Sequence, residues 1–339
     1  MNKVAVYFDD DILSKNNKMG ISVLLFSYSR CVCVINQNNV GKSIRDFYPF
    51  LENIKIVGNI DEAIRMGAES LLLGLAPQGG TANPKLLDIM QNAAQKNLTI
   101  IHGFHQTDPL TDLGKKYPNL VVDLRTPKKE YLCKSLDKVR FTNKNRILMV
   151  GTDMAVGKMT AGLLIHKKTQ SLDWNCEFVA TGQIGIAITG KGVPLDAIKL
   201  DFTGGAIEKL VLDSEADTVI VEGQGSIINP SSSATLPLIR GSSPTHLVLC
   251  HDASLISLKD FAHIKIPCLK SIIDLYEDIA EACGLYQRPK TIGICVNTAS
   301  MSEADAKTYM DEISKITGKV VVDPVRDYDQ IQLILDGVS

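Results

Sequence analysis

The chain alternates short apolar runs with longer segments of helical periodicity. In the first part, KVAVYF, SVLLFS, CVCVIN, SLLLGLA, LTIIHG and LVVDLR are brief, apolar and rich in β-branched residues, the pattern of strands buried in a sheet. Between them, NIDEAIRMGAE and PKLLDIMQNAAQKN space their apolar residues as helices do. Strands alternating with helices predict right-handed βαβ crossovers and a mainly parallel sheet. The rhythm stops over residues 128–145, KKEYLCKSLDKVRFTNKN, a charged and polar stretch expected to bridge two domains. It restarts at Arg146 with RILMVG, CEFVATG, DTVIVEG, THLVLCHD, KTIGICVNT and KVVVDPV, separated by helical patterns such as GKMTAGLLIHKKTQ and SEADAKTYMDEISKIT. The expectation is two α/β domains, residues 1–140 and 146–339, each with a mainly parallel sheet. Ligands are expected beyond the carboxyl ends of the strands.

Composition narrows the partners. At 339 residues the chain exceeds one ordinary core, which agrees with two domains. A formal net charge of −2 supplies no basic field, so no nucleic acid is expected as a partner. No apolar run reaches the roughly 18 residues of a membrane span, and acidic residues stand where a signal peptide would be apolar, so a cytoplasmic protein is expected. Of eight cysteines, only Cys31 and Cys33 are close, and that spacing puts both on one face of a strand. They read as buried, reduced thiols rather than a zinc site.

The stretch GTDMAVGKMT follows one apolar run and opens a helical segment. A strand, a glycine-bounded loop and a helix beginning near Gly157-Lys158 aim backbone N–H groups and a helix N-terminus at anionic oxygens. Gly151, Thr152, Asp153, Ala155, Val156, Gly157, Lys158, Met159 and Thr160 are therefore the candidate cofactor-binding residues. The usual G-x-x-x-x-G-K-[ST] spacing is not met: Gly151 lies one position early, and Met159 stands where Ser or Thr would hold magnesium. Thr160 is the hydroxyl left in the first turn. If magnesium is used, Thr160 and Glu222, the acid ending DTVIVEG, are its candidate ligands.

Other strand ends carry polar residues. Gln183 lies in TGQIG, Asp201 stands before a helical segment, and Gln224 sits between Gly223 and Gly225. Arg240 closes the Ser-rich stretch IINPSSSATLPLIRGSSP, expected to be a mobile substrate loop. In the first domain Gly79 and Gly80 follow SLLLGLA, His102 and His105 follow LTIIHG, and Arg125 follows LVVDLR. Gly79, Gly80, Arg125, Gln183, Asp201, Gln224 and Arg240 are the candidate substrate-binding residues. His105 and His102 are candidate general bases, and Glu222 could orient an amine; these three are the candidate catalytic residues.

GTDMAVGK resembles the phosphate loop of dethiobiotin synthetase, one of the deviant-loop P-loop proteins. Together with TGQIG, LDFTGGAIE, VEGQGSI, VNT and DPVR, and with GLAPQGG, HGFH and DLRTP before them, it resembles the family known as domain of unknown function 1611. That resemblance runs from about Lys3 to Leu335. It implies a Rossmann-like N-terminal domain and a P-loop NTPase-like C-terminal domain. Some members of that family are D-glutamate N-acetyltransferases that use acetyl-CoA, so the resemblance implies acyl transfer to an acidic amino acid. Coenzyme A offers a pyrophosphate to the loop with no triphosphate to split. Two alternatives stand beside it: an ATP- and magnesium-dependent ligase or kinase, and a non-catalytic nucleotide-sensing protein. A small-molecule substrate and a homo-oligomer are the expected partners.

Overall fold

The computed structural model describes residues 3–77 and 79–338. The chain divides into two compact units, residues 1–126 with 186–190, and residues 127–185 with 191–339.

In the first unit, β1 (Val4–Tyr7), β2 (Cys31–Ile35), β3 (Ile56–Val57), β4 (Ser70–Leu73), β5 (Thr99–His102) and β6 (Val121–Asp123) form a wholly parallel sheet. Its order is β3-β2-β1-β4-β5-β6, so the winding reverses between β1 and β4. The helices α1 (Lys18–Phe26), α2 (Ile60–Arg65), α3 (Pro84–Gln95) and α4 (Asp108–Lys116) provide crossovers. Alternate strand residues Ala5, Tyr7, Leu71 and Leu73 pack with Leu86, Met90 and Ala93 of α3.

SVLLFS departs from its expected strand and forms most of α1. The reason is topological. Parallel strands β1 and β2 need a crossover of about a dozen residues, usually helical, and this is the apolar stretch between them. Its buried residues, Met19, Gly20, Val23 and Leu24, fall on one helical face. Gly20 lets the helix approach the sheet: its N–H donates to the Gly74 carbonyl at 2.8 Å, and a Cβ there would strike the Phe8 ring.

The second unit holds β7 (Asn145–Gly151), β8 (Cys176–Val179), β9 (Thr218–Val221), β10 (His246–Asp252), the antiparallel hairpin β11 (Ser257–Leu258) and β12 (Phe261–Lys265), β13 (Lys290–Asn297) and β14 (Val321–Val322). All but the hairpin form a second parallel sheet, ordered β14-β13-β10-β7-β9-β8. The helices of this part of the chain are α5 (Lys158–Ser171), α6 (Gln183–Thr189), whose residues from 186 onward fall in the first unit, α7 (Leu200–Leu212), α8 (Thr235–Ser242), α9 (Leu269–Glu281), α10 (Glu303–Thr317) and α11 (Ile331–Leu335). The two units are thus α/β, each with a parallel six-stranded sheet, as the alternation predicts.

Two local readings change. The polar stretch 128–145 packs as part of the second unit, because buried Glu208 of α7 accepts the N–H groups of Leu136, Asp137 and Lys138 at 2.8, 3.1 and 2.6 Å. The Ser-rich stretch is half helix: Leu238 and Ile239 bury one face of α8. Gly204 and Gly205 lie inside α7, where they serve packing; a Cβ on Gly205 would overlap the Cys133 carbonyl, and Gly241 of α8 rests on the Gly204 carbonyl.

Candidate functional site

The phosphate loop joins β7 to α5. Gly157, at the N-cap of α5, has φ 96°, and Ala155 has φ 56°, so the loop turns twice through left-handed backbone before the helix begins. With no side-chain cap at Gly157, the first N–H groups of a 14-residue helix are open to an anion. Met159 and Thr160 follow in the first turn, both half-buried. Val156 is buried, and Gly151 ends β7, where its carbonyl accepts the Tyr276 hydroxyl at 2.8 Å.

Lys158 is buried, and its Nζ donates to the Asp153 carbonyl at 2.7 Å. Burial pushes its pKa down to about 8, against the pull of nearby acids that include Asp153 and Glu222. The Asp153 carboxylate is fully buried and fastens the loop. Its Oδ1 accepts from the Met154 N–H and the Asn229 Nδ2, and its Oδ2 from the Lys259 N–H, each at 2.7 Å. Asp153 therefore meets protein donors on both oxygens. Thr152 is equally buried, with its hydroxyl 2.9 Å from His251 Nδ1. Burial pushes His251 down to about 4, so the ring is neutral at ordinary pH.

Glu222 follows β9. Its Oε2 accepts the N–H groups of Thr181 and Gly182 at 2.8 and 3.1 Å, while the Thr181 hydroxyl donates to the Glu222 carbonyl at 2.9 Å. Gly185 leaves room for it: a Cβ there would stand 2.6 Å from Oε2. Burial raises its pKa to about 7, although the Thr181 and Gly182 amides and Lys158 oppose the shift. A carboxyl at that value exchanges protons near neutrality.

In front of Thr181 and Gly182 opens a cavity of about 420 Å³. Gln183, Asp196, Thr203, Gln224 and Ser231 to Ser233 supply its polar wall, and Leu195, Ile198 and Leu200 its apolar one. Gln224 Nε2 donates to the Thr181 hydroxyl at 3.2 Å, and Gln183 Nε2 to Asp196 at 2.8 Å. No lysine or arginine lines it among the described residues. On the other side of the loop, Val156, Gly157, Thr160 and Ala161 border a smaller cavity of about 160 Å³, closed by Asn297, Pro324 and Val325.

Two candidates of this unit lie elsewhere. Arg240 stacks over the Tyr286 ring, 4.6 Å from its centroid, and donates to the carbonyls of Ile279 and Ala280 at the end of α9. Asp201 is exposed in the first turn of α7, not before the helix, and makes no cap; the N-cap is Lys199. Neither lines the cavity.

In the first unit, Gly79 and Gly80 have φ of 80° and 67°. The His105 N–H donates to the Gly80 carbonyl at 2.7 Å, and a Cβ on Gly80 would strike the His105 ring, so the structure brings these separately flagged stretches together. His105 is exposed. His102 is buried, its Nδ1 accepts the Phe104 N–H at 3.3 Å, and burial lowers its pKa. Arg125 is half-buried, and its N–H donates to Asp123 at 2.8 Å.

Sequence reasoning missed His251, Asn229, Lys259 and Asp196. The first three meet the phosphate loop only through folding, and Asp196 carried no strand-end signal.

Comparison with known proteins agrees with this architecture. Residues 137–332 match Domain of unknown function (DUF1611_C) P-loop domain, and residues 37–127 match its Rossmann-like counterpart (DUF1611_N). A D-glutamate N-acetyltransferase of a Pseudoalteromonas species is 34% identical over 275 residues, covering 79% of this chain and 81% of its own. A second protein of that name, from Tritonibacter scottomollicae, is 33% identical over 273 residues, covering 79% and 80%. The crystal structure of a family member from Anabaena variabilis superposes with a TM-score of 0.89 at 34% identity, covering 100% of this chain and 99% of that one. No helix among the described residues is long and apolar enough to cross a membrane. The chain belongs to the domain of unknown function 1611 family.

Proposed function

We propose that the protein transfers the acetyl group of acetyl-CoA to the amino group of an acidic amino acid of the D-glutamate kind. The observation that carries this reading is a carboxyl of pKa about 7, Glu222, behind the wall of a polar cavity and electrostatically coupled to the phosphate-loop lysine. The names of the two relatives support the acyl transfer and the acceptor class.

The residues suit such a donor. The open N–H groups of α5 and the Lys158 ammonium match a pyrophosphate, and Met159 in place of a hydroxyl weakens the case for magnesium. The smaller cavity beside Gly157 offers the apolar edges of Val156, Pro324 and Val325 to an adenine ring. In the larger cavity Asp196 meets an ammonium, while the hydroxyls of Ser231 to Ser233 meet carboxylates. The amine nitrogen bonds to the thioester carbonyl carbon and the C–S bond breaks. The proton lost by nitrogen passes to Glu222 and from there to the departing sulfur, giving the amide and free coenzyme A thiol. His102 is a poorer base, because burial lowers its pKa.

Incubation with acetyl-CoA and a panel of D- and L-amino acids, without ATP, tests the proposal. Thiol release and an N-acetylated acidic product are expected. Acceptor-dependent ADP formation with magnesium-ATP and no acyl product would overturn it in favour of a ligase or kinase. Ligand binding without turnover of either donor would favour a sensor.

A further inference from the structure

The first unit has a cavity of its own, about 330 Å³, which the proposed acyl transfer does not use. It lies at the carboxyl ends of β1, β2 and β3, where Tyr7, Ile35, Asn36 and Gly58 face it. Its far wall is α3, through Lys85, Asp88, Ile89 and Asn92. Open parallel sheets bind ligands at this end, beside the point where the winding reverses.

Charge selects the ligand. Lys85 pairs with Asp10 at 2.6 Å, and Asp61 of the rim pairs with Lys96 at 2.6 Å. Asp88 forms no ion pair among the described residues, so the cavity is left with a net negative charge and no unpaired cation on its wall. After β1 the chain reads FDDDILSKNN, with acids where a phosphate-binding turn would have glycines. A pyrophosphate is therefore disfavoured, although the sheet order is one used for dinucleotides. What remains is a set of hydroxyl-binding groups. The exposed side chains of Gln37, Asp88 and Asn92 make no hydrogen bond among the described residues, and all three line the same opening. Phe8, Ile35 and Ile60, with Ile89 of α3, offer apolar surface for a ring face.

We infer that this cavity is a second binding site, for an uncharged ring bearing adjacent hydroxyls, as in a nucleoside or a monosaccharide. The carboxylate and amides receive the hydroxyls, and the apolar wall receives the ring.

Ligand-observed NMR on the full chain, with adenosine, D-ribose and D-glucose as probes, tests this. At least one probe should bind, and binding should survive Lys158→Ala, which disables only the phosphate loop. Asn92→Trp, at an exposed position of α3, should fill the mouth and abolish binding while leaving the melting temperature unchanged. Asp88→Ala should weaken it about tenfold, the weight of one charged hydrogen bond. Adenosine alone binding identifies a nucleoside site, and equal binding of the sugars identifies the diol as the recognised group. The inference is overturned if no probe binds, if binding persists in Asn92→Trp, if it is lost in Lys158→Ala, or if AMP binds this cavity as well as adenosine.

Discussion

Replacing Glu222 with glutamine should stabilise the ligand-free protein in alkali while stopping its chemistry. The carboxyl has a folded pKa of about 7 against 4.5 for an ordinary glutamate, with burial as the cause. A group raised in the folded state favours folding fully below its unfolded pKa, and loses that advantage as pH climbs from 4.5 to about 7. The gap of 2.5 pH units, at 1.36 kcal/mol each, amounts to about 3 kcal/mol. Glutamine keeps an oxygen for the Thr181 and Gly182 amides and has nothing to ionise. Glu222→Gln should therefore match the native chain at pH 4.5 and exceed it by about 3 kcal/mol at pH 8. Chemical denaturation at half-unit pH intervals reads the difference directly. A difference that stays flat from pH 4.5 to 8 would refute the claim that Glu222 is held near neutrality. The same variant should lose about 100-fold or more in kcat and keep its KM for acetyl-CoA, with the acid limb of the pH–rate profile near 7 removed.

Lys158→Ala should abolish the thermal stabilisation by acetyl-CoA, which for the native chain is about 2.7 kcal/mol at a hundred times Kd. Glu208→Ala should cost about 2 kcal/mol in urea unfolding, because it removes the shared acceptor of three part-buried N–H groups of residues 136–138. Burial works against the charged form of Glu208, but the Ser135 hydroxyl and those amides outweigh it and lower its pKa. Its contribution is thus present above the unfolded pKa and lost as pH falls through the lowered folded one, so native and variant should converge in acid. Gly223→Ala should cost about 2 kcal/mol or more by calorimetry, since a Cβ there runs into the Met149 carbonyl beneath the phosphate loop.

What the sequence discloses follows from the range of each interaction. The strand β10 is legible because Leu247, Val248, Leu249 and Cys250 are all buried, so no polar residue interrupts the run. SVLLFS is equally apolar, and only the need for a crossover between β1 and β2 makes it a helix; local pattern cannot carry that information. β3, with two residues, is too short to show any period. The phosphate loop declares itself by spacing within ten residues. Its fastenings do not: Thr152 reaches His251 across 99 positions, and Asp153 reaches Asn229 and Lys259 across 76 and 106. Arg240 had the right chemistry for an anion, yet a neighbouring aromatic ring and two carbonyls, all distant in sequence, claim it.

If the loop takes a phosphate as proposed, the tucked position of Lys158 makes that binding a protonation event as well as an encounter of charges. With a pKa of about 8, roughly half of the molecules at pH 8 carry an uncharged amine on the Asp153 carbonyl. An arriving phosphate restores the ammonium, so each binding event draws about half a proton from the medium at that pH. The proton comes from the buffer, and the measured heat of binding therefore includes the buffer's own heat of ionisation. Titrations in HEPES and in Tris would report different enthalpies for one and the same complex, and affinity would decline as the solution is made more alkaline.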